Sequence, residues 1–235
     1  MLRPFLALAA SVVVAAANIA CAEDQPSVPT FTALADSGID HTFAGEWEFM
    51  VGGGAAVFDC DGNGLQDVFL TGGENPSALY RNVSAAGGAL RFAKVDGGPA
   101  PEKASGAYPL DIDSDGAMDL VILRVGPNMI LRGLGDCRFA DKTGDWGFDG
   151  GDAWSTAFAA TWEKGATWPT LAIGNYIDRR EEFSPWGSCT ENWLHRPAPE
   201  GAVNADVGCR SPVRGRGRIN ENDPPAAAAT GFAVP

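Results

Sequence analysis

Two stretches of this chain place oxygen-bearing side chains at a spacing that suits a hard cation. In Asp59-Cys-Asp-Gly-Asn-Gly-Leu-Gln-Asp67 and in Asp111-Ile-Asp-Ser-Asp-Gly-Ala-Met-Asp119, loop positions 1, 3, 5 and 9 carry Asp or Asn, and position 6 is Gly. Carboxylates this close in sequence repel one another unless a cation sits among them. Ca2+ accepts many oxygens at flexible angles, where Mg2+ demands a stricter octahedron, so calcium is the expected occupant. The first cage would draw on Asp59, Asp61, Asn63 and Asp67 with the Leu65 carbonyl; the second on Asp111, Asp113, Asp115 and Asp119 with the Ala117 carbonyl. The plainer alternative, a pair of solvated Asp/Gly turns, does not account for agreement at every ligand position.

The elements that must hold these loops are strands. An EF-hand loop lies between helices and closes with Glu at position 12, but here that position is Leu70 or Ile122. The runs after the loops, Val68-Phe-Leu70 and Leu120-Val-Ile-Leu123, and those before them, Ala55-Ala-Val-Phe58 and Ala107-Tyr-Pro-Leu110, are short and apolar and predict strands. The surroundings repeat as well: Leu79-Tyr-Arg81 is matched by Ile130-Leu-Arg132, and Arg91-Phe-Ala93 by Arg138-Phe-Ala140. A period of about 50 residues with four strands per unit marks propeller blades. A third unit is expected around Thr161-Trp-Glu-Lys-Gly-Ala-Thr-Trp-Pro169, followed by Leu171-Ala-Ile173. With Thr161, Gly165 and Pro169 aligned to ligand positions and Glu163 the one acid left, it should bind no calcium.

These motifs resemble the FG-GAP/VCBS repeat family, in which such acidic loops join the first two strands of propeller blades. Gly52-Gly-Gly-Ala-Ala-Val-Phe-Asp-Cys-Asp61, Leu79-Tyr-Arg-Asn82 and Gly174-Asn-Tyr176 are more narrowly similar to the propeller part of secreted proteins related to cartilage acidic protein, which often carry an ASPIC/UnbV domain. The resemblance spans roughly residues 28 to 196 and no ASPIC/UnbV-like segment is present. It implies a secreted, calcium-bound propeller used for binding or adhesion.

The expected architecture is therefore all-β: a partial propeller of about three four-stranded blades with calcium loops between the first two strands, plus a disordered C-terminal tail. Its parts are a signal peptide (1–22), an N-terminal segment (23–46), blade 1 (47–98), blade 2 (99–149), a degenerate blade 3 (150–195) and a low-complexity tail (196–235). Phe31 to Asp40 echoes Phe139 to Asp149, so the N-terminal segment reads either as a ring-closing strand, which would remove an exposed edge, or as a loose arm. The tail, rich in Ala, Pro, Gly and Arg, shows no alternating strand, and Phe232 is its one aromatic residue. Such a composition buries too little apolar surface to offset its ordering entropy, so the tail is expected to be disordered, or else the product of a truncated or frameshifted frame. Three blades alone would leave open faces, and hence oligomerisation or missing blades are expected.

Met1-Leu-Arg3, the apolar run from Phe5 to Ala17, and Ala20-Cys-Ala22 read as a signal peptide cleaved before Glu23, with lipid attachment at Cys21 as the alternative. The expected location is secreted or periplasmic. The chain has 17 Lys+Arg against 30 Asp+Glu, a formal net charge of −13, which disfavours nucleic acid and anionic membrane surfaces. Arg214-Gly-Arg-Gly-Arg218 is locally basic but reads as tail rather than as an RNA-binding segment. Removing the leader leaves Cys60, Cys137, Cys189 and Cys209; export and an even count suggest disulfides. Cys189 with Cys209 is the first choice, because they flank one Pro-rich loop, and Cys60 with Cys137 would then staple the first unit to the second.

Catalytic motifs are missing: no G-x-S-x-G, H-E-x-x-H, P-loop or helix-opening G-x-G-x-x-G occurs. Glu163, Glu181 and Glu182 read as surface charge, and His41 beside Asp40 would point away from it on a strand. The expectation is a non-catalytic module with an extracellular protein or glycan ligand. The alternative is a carbohydrate-active propeller, lectin or hydrolase, using Trp154, Trp162, Trp168, Trp186, Trp193 and Tyr176 as stacking platforms, although such rings more often fill the space between blades.

Overall fold

The structure, a computed structural model, describes residues 28–50, 52–177, 190–197 and 203–204. The chain divides into two units, residues 1–35 and 36–235. In the first, residues 28–35 form no helix or strand, and Phe31 is exposed. The second is an all-β partial propeller of three antiparallel four-stranded blades. Blade 1 is β1 (Ala55–Phe58), β2 (Asp67–Leu70), β3 (Ala78–Asn82) and β4 (Phe92–Lys94). Blade 2 is β5 (Ala104–Leu110), β6 (Asp119–Gly126), β7 (Met129–Gly133) and β8 (Phe139–Asp141). Blade 3 is β9 (Ala153–Thr161), β10 (Thr170–Asn175), β11 (Trp193–Pro197) and β12 (Val203–Asn204). Blades 2 and 3 share backbone pairing, Val125 with Trp154 and Gly126 with Ala153.

Side-chain alternation reports how each blade is stacked. In β1, Ala56 and Phe58 are buried while Ala55 and Val57 are exposed, so one face of blade 1 is covered. In β6 the run Leu120-Val-Ile-Leu123 is wholly buried because both faces are covered: Leu120 and Ile122 pack with Phe58, Phe69 and Leu79 of blade 1, Val121 and Leu123 with Leu171 and Ile173 of blade 3. A strand read as a continuous apolar run is what a two-sided environment selects. The first strands β1, β5 and β9 contact one another in succession, and their beginnings line a cavity of about 240 Å³ with Gly53, Gly106, Tyr108, Trp154 and Thr156 on its walls.

Two expectations change. Residues 36–44 form no strand; they lie along blade 1, held by an isolated bridge from Ala44 to Gly73 and by hydrogen bonds from Phe92 N–H to Ser37 C=O (2.7 Å), Tyr80 Oη to Asp40 C=O, and Asn75 Nδ2 to Thr42 C=O (3.0 Å). Blade 3 passes the boundary drawn at residue 195, since β11 ends at Pro197 and β12 pairs with it through Val203 and Asn204. Two residues of backbone pairing need no apolar alternation, so composition gave no sign of them. Cys60 and Cys137 are disulfide-bonded, the expected staple between the first unit and the second. The signal peptide, the Cys21 lipid site, Cys189, Cys209, Trp186, Glu181, Glu182 and the tail from residue 205 lie outside the described residues.

Candidate metal centre

Both acidic segments join the first two strands of a blade, and their ends are matched in register: Phe58 faces Asp67, and Leu110 faces Asp119. The position-1 aspartates organise the turns. Asp59 accepts N–H bonds from Asn63 (3.2 Å) and Gly64 (2.8 Å), and Asp111 accepts from Asp115 (3.0 Å) and Gly116 (3.0 Å). The Gly64 bond is foremost among those that hold the Asp59 carboxyl below its usual range. Position 6 needs glycine, because Gly64 and Gly116 have φ of 85° and 90°, a region L side chains avoid. At position 5, Asn63 and Asp115 each accept the N–H two residues on, from Leu65 (2.7 Å) and Ala117 (2.8 Å).

Position 9 has a second task that the ligand pattern conceals. Asp67 is fully buried; its Oδ2 accepts the Cys60 N–H at 2.8 Å and its Oδ1 the Asn82 N–H at 2.7 Å. Asp119 is bonded the same way to Ile112 and Gly133, both at 2.8 Å. Each carboxylate thus pins the entry of its loop to the end of the third strand of its blade. Burial pushes Asp119 up to about 6, assisted by the nearby charges of Asp113 and Asp115 and opposed by its two N–H bonds.

Two arginines at equivalent positions of the repeat face these loops. Arg132 donates to Asp113 Oδ2 (2.6 Å) and Asp115 Oδ2 (2.7 Å). Arg81 Nε is within ion-pair distance of Asp61 (3.1 Å) without the alignment of a hydrogen bond, and its Nη2 reaches Asp136 (2.9 Å). Arg81 and Arg132 match within the sequence repeat, 22 residues after Asp59 and 21 after Asp111, and this near-equal offset is the signal in the sequence that ties them to the loops.

The donor chemistry suits a hard divalent ion. Single oxygens of Asp59, Asp61 and Asp67 come within 4.8 Å of one another, as do those of Asp111, Asp113 and Asp115. Asp113 Oδ1 is buried and has no hydrogen-bond partner, a state that is costly for an acceptor unless something else supplies positive charge. These acidic clusters could hold a metal ion.

The third loop keeps the length and loses the ligands. Thr161 faces Thr170, so the structure moves the alignment by one residue: Trp162, Lys164, Ala166 and Thr170 occupy positions 1, 3, 5 and 9. Gly165, at position 4, retains the positive φ (83°) of Gly62 (75°) and Ser114 (60°). Glu163 falls between ligand positions and bonds Thr170 (3.1 Å) and Arg196 (2.8 Å). Of the aromatic residues considered as platforms, Trp154 is buried and Trp168 and Trp193 pack between blades 2 and 3, while Trp162 and Tyr176 are exposed. His41 bonds the Thr71 carbonyl at 2.9 Å rather than standing on a strand beside Asp40.

Residues 59–122, from the first acidic loop into β6, match the family model of the FG-GAP-like repeat. No curated protein matches the chain. The matched span contains both acidic loops and agrees with the propeller arrangement of the blades.

Proposed function

We propose that this chain is an exported, calcium-stabilised propeller module that binds an extracellular protein or glycan and catalyses no reaction. The observation that carries the calcium reading is the buried, unpartnered Asp113 Oδ1 within a cluster of carboxylate oxygens. Asp59, Asp61, Asn63 and Asp67 with the Leu65 carbonyl would hold one ion, and Asp111, Asp113, Asp115 and Asp119 with the Ala117 carbonyl the other. The ions would offset carboxylate repulsion and stiffen loops that present a surface; they supply charge, not chemistry on a substrate. Export is supported by the Cys60–Cys137 disulfide, a bond that persists in oxidising compartments. No helix among the described residues is long and apolar enough to cross a membrane. A use in binding or adhesion is supported by the FG-GAP-like repeat, and the narrower likeness to cartilage acidic protein-related propellers rests on Gly52 to Asp61, Leu79 to Asn82 and Gly174 to Tyr176 alone.

Thermal unfolding in calcium, magnesium and chelator tests the reading. For affinities typical of extracellular modules, about 0.1 to 1 mM, 5 mM calcium should add about 1 to 2 kcal/mol per site. Equal melting temperatures in calcium and chelator would refute it.

A further inference from the structure

The first acidic loop carries a device absent from the second. Cys60, its second residue, stands in sequence between Asp59 and Asp61 and is bonded to Cys137 in the β7–β8 hairpin of the next blade. Other contacts tie the same hairpin to the same loop. The Cys137 N–H donates to the Cys60 carbonyl at 3.0 Å. Arg81 spans Asp61 (3.1 Å) and Asp136 (2.9 Å), the residue before Cys137. Cys137 Sγ lies 3.8 Å from Asp67 Oδ2, the oxygen that also accepts the Cys60 N–H. Asp136 and Cys137 both hold left-handed backbone, with φ of 51° and 56°, a conformation costly for cysteine though tolerated by aspartate. Cutting the bond would therefore free the hairpin and the entry of the loop together. At the corresponding place in the second loop stands Ile112, which cannot be cross-linked.

We infer that the Cys60–Cys137 disulfide is a redox lock on the first cation loop: reducing it weakens cation binding there and leaves the second loop unaffected. The inference rests on the calcium reading above. Reduction by a dithiol begins when its thiolate attacks one sulfur, breaking the protein S–S bond and forming a mixed disulfide. The second thiol of the reagent then displaces the remaining cysteine, so that two electrons and two protons end on Cys60 and Cys137 and the reagent leaves as a cyclic disulfide. Linkage makes the coupling reciprocal. Whatever factor reduction takes from cation affinity, a bound cation adds to the resistance of the disulfide.

The test uses the full exported chain equilibrated in mixtures of reduced and oxidised dithiothreitol with excess calcium, magnesium or chelator, followed by alkylation and mass spectrometry of the Cys60 and Cys137 peptides. Couplings between linked sites are commonly about 5-fold or more. Calcium should therefore raise the reduced-to-oxidised ratio needed for half-reduction by at least about fivefold, or about 20 mV for a two-electron couple. The shift should persist in Asp113→Asn and vanish in Asp59→Asn, with Asp61→Asn as the substitute should the Asp59 variant not fold. Calcium binding seen by calorimetry with an unchanged half-reduction ratio would overturn the lock and leave the calcium reading intact. No calorimetric binding in either redox state would refute the calcium reading itself, and the lock with it.

Discussion

Replacing Asp67 by alanine separates the scaffold of the first loop from its ligands. Asp67 accepts two buried N–H groups, from Cys60 at 2.8 Å and Asn82 at 2.7 Å. Alanine would leave both without an acceptor, at a cost of about 1 to 3 kcal/mol each, so Asp67→Ala should lose about 2 to 6 kcal/mol even in chelator. Asp59→Ala should behave differently. The N–H groups it serves, at Gly62, Asn63 and Gly64, are on an exposed turn and can turn to water, which leaves a metal-free loss within about 1 kcal/mol. In 5 mM calcium, Asp59→Ala should forfeit a further 1 to 2 kcal/mol or so, the share of one site. Urea denaturation, with and without chelator, reads both terms. With a slope of about 2 kcal/mol per molar, Asp67→Ala should lower the midpoint in chelator by about 1 to 3 M. Coincident midpoints for Asp67→Ala and wild type in chelator would refute the pinning role.

The disulfide closes a separation of 77 residues, worth about 4 to 5 kcal/mol on the chain-entropy account; Cys60→Ser with Cys137→Ser should lower stability by up to that amount in the same assay. Glu163→Ala breaks an exposed pair with Arg196, so it should change stability by less than about 1 kcal/mol and leave the calcium increment untouched, as thermal shifts in both conditions would report. His195 is buried against Phe148 and Trp193, and burial lowers its proton affinity, opposed by Asp149. The unfolded chain takes up that proton near pH 6.5 or so, so the stability tied to neutral His195 is full above this pH and falls as pH drops through the window below it. Urea titrations at saturating calcium between pH 8 and 5 should show the decline, and His195→Phe should flatten it.

The blade order and the placement of both acidic loops between first and second strands were legible because the loop pattern and the apolar runs around it repeat. Three things were not. The doubled role of Asp67 and Asp119 was hidden, since a carboxylate that accepts backbone N–H bonds and one that binds a cation look alike in sequence. The third loop was misaligned by one residue because, with its ligands gone, Thr161 and Thr170 offered no fixed point until strand pairing supplied it. The arginines Arg81 and Arg132 act on the loops through the tertiary placement of β3 and β7, which no local spacing states. The Cys60–Cys137 pair was legible from the cysteine count once Cys189 was set with Cys209, although the two residues meet through blade stacking and not through proximity along the chain.

Counting calcium by equilibrium dialysis of the metal-stripped, oxidised protein addresses the central claim most directly. Two acidic loops should give two ions per chain, falling to one in Asp59→Asn and to one in Asp113→Asn. No bound calcium, or two ions retained in both variants, would contradict the assignment of these loops as the cation sites.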